Sequence, residues 1–144
     1  MFSKACEYGI RASVYLVDQS SQDRKTSLKE LAKAIGSPEA YTSKILQQLA
    51  RNNIIVSEKG PTGGFSVNQT SIETLKLSQV VTAIDGDDIY RGCGLGFHHC
   101  DANKPCPIHH QFKAIRDDLK NMLENTTLLT LSKDIENGIS FLKR

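Results

Sequence analysis

The sequence predicts a mostly α-helical fold carrying one small β-hairpin. Three observations lead there. Apolar residues recur at three- and four-residue steps through most of the chain. A single Gly/Pro-rich tip, Lys59-Gly60-Pro61-Thr62-Gly63-Gly64, separates two short β-rich runs. A narrow apolar seam, Phe112, Ile115, Leu119 and Met122, marks a long helix beginning near Ile108.

The first helix is read over residues 3–19. Ala5, Tyr8, Ala12, Tyr15 and Leu16 share a face, with Ile10, Val14 and Val17 beside them, a stripe broad enough for a helix enclosed by other elements. The polar run 20–26 is a loop. Ser27-Leu28-Lys29-Glu30 matches a capping box, in which hydroxyl and carboxylate satisfy the first free amides of a helix. Leu28, Leu31, Ala32 and Ile35 follow, and Gly36 ends that helix after two turns. Ser37 is the expected N-cap of the next helix, with Pro38 at its first position. Tyr41, Ile45, Leu46 and Leu49 face inward there, while Ser43, Lys44, Gln47, Gln48 and Arg51 form a polar face.

Two short helices joined by a tight Gly turn, the second with a polar face, outline a helix-turn-helix. The runs 54–58 and 65–67 around the Gly/Pro tip make the hairpin, and a hairpin placed there is a wing. Leu77–Gly86 is a further short helix, followed by the acidic turn at 85–88. The long helix from about 108 carries Lys113, Arg116, Asp117, Asp118 and Lys120 on its outer faces, and a last short helix falls within 128–141. The organisation expected is thus 1–86 as a winged helix-turn-helix, 87–107 as a loop, and 108–144 as a long helix and tail.

Composition narrows the function classes. Hydrophobic content of 39% and charged content of 24% are those of a globular domain. No apolar run spans a bilayer and the first residues lack a secretory signal, so a cytoplasmic protein with reduced thiols is expected. Net charge is +2, but residues 1–66 hold nine Lys/Arg against six Asp/Glu, a mildly basic front half. No nucleophile–base pair and no phosphate-cradling motif is present, which argues against an enzyme and against a small organic substrate.

A recognition helix works by fitting the major groove, where Gln pairs bidentately with adenine and Lys reaches guanine or phosphate. The residues expected to meet DNA are Ser37, Tyr41, Ser43, Lys44 and Gln47 on the helix, with Lys59, Gly60, Thr62 and Gly63 at the wing. The alternative for each is an ordinary solvated face or turn; the ordered combination of cap, turn, second helix and wing favours double-stranded DNA.

One stretch stands apart. CGLGFHHCDANKPCPIHH, residues 93–110, holds three of the four cysteines and all four histidines. Cys93, Cys100 and Cys106 are separated by six and five residues, and His109 follows three residues after the last thiol. Three thiolates plus a nitrogen or carboxylate suit tetrahedral zinc or an iron–sulfur cluster, and spacing leaves both open. Exposed free thiols in a Gly-, Asp- and His-rich segment are a poor match for core packing. His98, His99 and His110 read as solvated bystanders, and Cys6 as a small buried side chain.

EYGIRA (7–12), SLKELAKAIGSPEAYTSKILQQLARNNII (27–55), KGPTGGF (59–65), LSQVVTAIDG (77–86) and the three-cysteine segment together resemble the iron–sulfur-cluster regulators, bacterial winged-helix transcription factors of the IscR/NsrR type. That resemblance implies a transcription regulator, repressors included, acting as a homodimer on a pseudo-palindromic operator, with the long helix crossing its partner's. It also implies a [2Fe-2S] or [4Fe-4S] cluster on Cys93, Cys100 and Cys106, completed by His109 or by Glu7 of the other subunit, that senses redox state, nitric oxide or iron and sulfur status. Members commonly carry Arg at the place of Lys59 and an acid at the place of Ser43, and the gap between Cys93 and Cys100 is one residue longer than usual. The rivals are a winged-helix repressor with structural zinc or no metal, and a small iron–sulfur electron-transfer or carrier protein.

Overall fold

A computed structural model describes residues 1–144. Six helices and one hairpin follow each other in chain order. Helix α1 (Lys4–Ser21) starts where the Ser3 hydroxyl accepts from the Cys6 amide at 3.0 Å. Its apolar stripe is enclosed as expected: Ala12, Val14, Leu16 and Val17 are buried under the surrounding helices. Gly9 is where the helix carrying Ile84 crosses, since a Cβ there would collide with the Cδ1 of Ile84.

Helix α2 (Leu28–Ile35) opens on Ser27, whose hydroxyl accepts from the Glu30 amide at 3.2 Å. The capping box is half formed, contrary to the sequence expectation. The Glu30 carboxylate accepts instead from the Tyr15 hydroxyl of α1, also at 3.2 Å. Gly36 closes α2 at φ +68°, and the Ser37 amide donates back to the Ala32 carbonyl at 3.0 Å.

Helix α3 (Glu39–Arg51) begins one residue later than expected, with Pro38 rather than Ser37 at the cap position. Thr42 gives its one hydroxyl hydrogen to the Pro38 carbonyl at 2.8 Å, so Ser37 donates to the Thr42 oxygen and not along the helix axis. Leu46, Leu49 and Ile45 enter the shared core, while Tyr41 stays half-buried.

Strands β1 (Val56–Glu58) and β2 (Gly64–Ser66) pair antiparallel, Val56 opposite Ser66 and Glu58 opposite Gly64. Phe65 also exchanges two backbone bonds with Thr26, at 2.9 and 2.8 Å, which ties the wing to the loop before α2. Helix α4 (Leu77–Asp85) stops at Gly86, and a single 3-10 turn covers Asp88–Tyr90.

Helix α5 (His109–Asn125) touches the rest of the chain along one face, where His109, Arg116 and Leu123 are buried and Leu119 packs against the core. Leu123 is fully buried, and Lys76 and Thr127 form a backbone bridge beside it. Helix α6 (Leu128–Glu136) stops short of the expected span to Phe141, because Gly138 at φ +71° turns the chain. Along α5, Ile115 is 63% exposed and Met122 48%, so the seam read from the sequence lies open on one flank. No helix is long and apolar enough to cross a membrane.

Gly36→Ala should destabilise the protein by about 1 kcal/mol, because the left-handed conformation penalises a Cβ. Thermal unfolding followed by circular dichroism should show a midpoint lower by about 3–5 °C. Gly36→Asn should recover part of that loss, since Asn enters this region more readily.

Candidate nucleic-acid interface and cysteine site

The residues expected to meet DNA lie on α3, on the turn before it and at the wing tip. On α3, Lys44 and Gln47 are exposed and Ser43 is half-buried, with the Gln47 amide 3.5 Å from the Ser43 hydroxyl. Arg51 extends the same exposed face by one turn. Gln48 does not belong to it, since its amide donates to the Ala83 carbonyl of α4 at 3.0 Å. Tyr41 turns toward α1 and meets the Tyr8 ring edge-on, centroids 5.7 Å apart. Arg11 lies over the Tyr8 ring at 5.4 Å, so Tyr41 is part of an aromatic–cation cluster rather than a free side chain.

Lys59, Gly60 and Thr62 are exposed at the wing tip. Gly63 donates to the Gly60 carbonyl at 3.0 Å, and a Cβ on Gly63 would stand 2.2 Å from the Glu58 carbonyl oxygen. Only glycine fits that turn. Lys25 holds the wing from below, pairing with Glu58 at 2.5 Å and donating to the Thr62 carbonyl at 3.4 Å. Nothing local in the sequence pointed to Lys25, which lies 33 residues from its partner.

The cysteine segment leaves α4 at Gly86 and rejoins the fold at His109. Its four candidate ligands fall into two neighbouring pairs: Cys93 and Cys106 with sulfurs 3.8 Å apart, and the Cys100 sulfur 3.3 Å from Nδ1 of His109. No three His, Cys, Asp or Glu side chains share one centre. Two thiolates on one tetrahedral ion with bonds of about 2.3 Å sit about 3.8 Å apart, so the first pair has the separation that shared coordination requires. All four cysteines are free thiols. His109 is 5% exposed at the head of α5, whereas His98, His99 and His110 are exposed. Glu7 lies on α1, paired with Lys4 at 2.7 Å. The donor set of three thiols and an imidazole suits a soft metal centre.

Backbone N–H groups of Leu95 and Phe97 point at the Cys93 sulfur and hold its thiol below the ordinary value, with smaller help from Cys106 and the Gly96 amide. Cys6 is the opposite case. Burial, then the neighbouring Asp85 carboxylate, pushes its thiol up to about 12.

Arg116 departs furthest from the sequence expectation. It was expected on an outer face of α5, yet it is only 8% exposed. Its Nη1 donates to the Arg91 carbonyl at 3.1 Å and to the Gly92 carbonyl, and its guanidinium lies 5.7 Å from the centre of the Phe112 ring. The spacing held the signal: residue 116 is four past Phe112 and three before Leu119, on the seam side of the helix. The loop is also pressed against α5 at Gly94, where a Cβ would approach the Phe112 ring to 2.8 Å.

A family model described as "Rrf2: Iron-dependent Transcriptional regulator" matches residues 2–134. An HTH-type transcriptional regulator of Aquifex aeolicus is 26% identical over 133 residues, covering 91% of this chain and 90% of that protein. The regulator IscR of Yersinia pseudotuberculosis is 24% identical over 111 residues, covering 77% of this chain and 66% of its own. Among solved structures, CymR, the global cysteine regulator of B. subtilis, superposes with a TM-score of 0.74 at 19% identity, over 92% of this chain and 96% of that one. IscR of T. potens gives 0.73 at 18% identity, over 97% and 91%. These structural likenesses concern the fold, and they place it among winged-helix regulators.

Alkylation with iodoacetamide, read by mass spectrometry across a pH series in metal-free protein, should separate the thiols. The thiolate is the reactive form, so Cys93 should react at lower pH than an ordinary cysteine. Cys6 should stay unmodified at neutral pH until the protein is unfolded.

Proposed function

The chain belongs to the Rrf2 family of transcriptional regulators, and from that premise we propose that it is a cytoplasmic homodimer whose grip on a pseudo-palindromic operator follows the state of an iron–sulfur cluster. DNA binding and transcriptional regulation come with the family. The cluster, the pairing, the compartment and the residue roles are the finer reading.

The observation that carries it is the Cys93–Cys106 pair, 3.8 Å apart at the head of the long helix. Cys93, Cys100 and Cys106 would hold the cluster. His109, buried and facing Cys100 at 3.3 Å, is better placed as fourth ligand than Glu7, which would have to arrive from a second copy. A bound cluster supplies iron and sulfide that oxygen, nitric oxide or iron shortage alters. Everything else is done by the chain. Arg116 clamps the loop to α5, and the open flank with Ile115 and Met122 seven residues apart is suited to pairing with the same helix of a second copy. In such a dimer the two α3 helices enter successive major grooves about one helical turn apart. Loosening the loop shifts the heads of both long helices and hence the spacing of the recognition helices. Coupling of about 1–3 kcal/mol, roughly 5–150-fold in affinity, is typical of such linkage.

Lys44 and Gln47 would read base edges and Lys59 would grip a phosphate or narrow minor groove, with Ser37, Ser43, Gly60, Thr62 and Gly63 supporting close approach. Tyr41 would support the helix through its contact with Tyr8 more than by touching DNA.

Anaerobically purified protein should contain iron and acid-labile sulfide and absorb in the visible. Cys93→Ala should abolish the colour and the change in DNA affinity on exposure to oxygen or nitric oxide. Colourless protein holding one zinc per chain would establish the structural-zinc alternative instead. Lys59→Ala should lower the slope of log affinity against log salt by about 0.9 without changing sequence preference. Gln47→Ala should relax preference at one base pair by about 1–3 kcal/mol.

A further inference from the structure

Residues 138–144, which follow α6, fold back across the molecule onto the helix-turn-helix. Leu142 packs against the core, and the exposed Lys143 lies along the turn between α2 and α3. Its Nζ donates to the Lys33 carbonyl at 3.3 Å, and its Cδ would be 3.4 Å from a Cβ built on Gly36. The contact joins positions 110 residues apart. Beside it is a notch lined by Lys29, Lys33, Ser37 and Pro38, with Glu39 as the acid on its rim. Lys29, Lys33, Lys143 and Arg144 are all exposed.

We propose that this tail is a DNA-contacting element: Lys143 and Arg144 bind backbone phosphates flanking the groove that α3 enters. The inference rests on the reading of α3 as the recognition helix. The first turn of that helix presents the amides of Glu39, Ala40 and Tyr41, which have no backbone acceptor, and a partial positive charge of the kind that meets a strand phosphate. A cation held on the same turn stands beside that phosphate. An isolated surface lysine is ordinarily a solvated side chain, but Lys143 is held. Its stem runs over Gly36 and one of its three ammonium hydrogens is committed to Lys33, leaving two for an anionic oxygen. Ordering the side chain in advance lowers the entropy lost when a phosphate arrives. The contact carries no base information, so it adds affinity equally on every sequence.

The test measures binding of the full chain to a random-sequence duplex of about 30 base pairs by fluorescence anisotropy over a salt series. Each phosphate contact contributes about 0.9 to the slope of log affinity against log salt. The double variant Lys143→Gln/Arg144→Gln should lower that slope by about 1.8 per bound chain, with circular dichroism confirming that it is folded. Lys120→Gln/Lys133→Gln, which removes the same charge elsewhere, should keep the wild-type slope. A tail variant with the wild-type slope, whether or not its thermal midpoint falls, overturns the inference and leaves Lys143 as a cap of α2. An equal fall in the control pair overturns it too, as an effect of net charge. Wild-type protein with no salt-dependent duplex binding sinks the DNA-binding reading underneath.

Discussion

The guanidinium of Arg116 sits on the carbonyls of Arg91 and Gly92, and the behaviour of the cysteine segment depends on that contact. Burying an ionised side chain carries a desolvation penalty of several kcal/mol, offset only when its donors find good acceptors. Here two backbone carbonyls and the face of Phe112 supply that compensation, although Nε has no partner. Cys93 is the next residue in the chain, so the first thiol is placed by the same contact that fixes the side of α5. The turn that brings Cys106 beside it ends at His109, the first residue of that helix. Loop and helix therefore share one set of restraints over the first half of α5, from His109 to Arg116.

The other end of the molecule is built differently. Helix α1 is enclosed by α2, α3, α4 and α6, and the apolar residues it buries are continuous with those of α3 and α4. That lobe is held by non-directional burial. Its polar contacts, such as Tyr15 with Glu30 and Phe65 with Thr26, set angles between elements that are already packed. Between lobe and loop stands Asp85, the last residue of α4, whose carboxylate accepts from the Ser3 amide at 2.9 Å. In the proposed homodimer, a displacement of the loop would reach the lobe through α4 and the start of α1, and a second copy through α5. The proposed switch needs both routes, because it has to change the spacing of two recognition helices while leaving each one intact.

Much of this was legible in the sequence where the causes are local. Ser27, Gly36, the Gly/Pro tip and Gly86 mark element ends through backbone chemistry within a few residues, and the structure keeps each of them. The outline of helix-turn-helix and wing followed from these. What escaped depended on distant partners. Glu30 was expected to close its own helix but is drawn off by Tyr15, and Ser37 is taken up by Thr42. Arg116 was sorted by its charge, although its position on the helix put it among Phe112 and Leu119. Lys143 meets Lys33 only because the fold brings the tail home. For the cysteines, spacing named the candidate residues but could not say how loop rotamers divide them into two pairs.

Amide hydrogen exchange on anaerobically purified protein, compared with protein treated with an iron chelator, tests the central claim most directly. The account predicts strong loss of protection on stripping across residues 88–116, with α1–α3 nearly unchanged. Equal protection of the loop and the head of α5 in both forms would contradict it, because the proposed cofactor would then have no mechanical hold on the helix proposed to pair two copies.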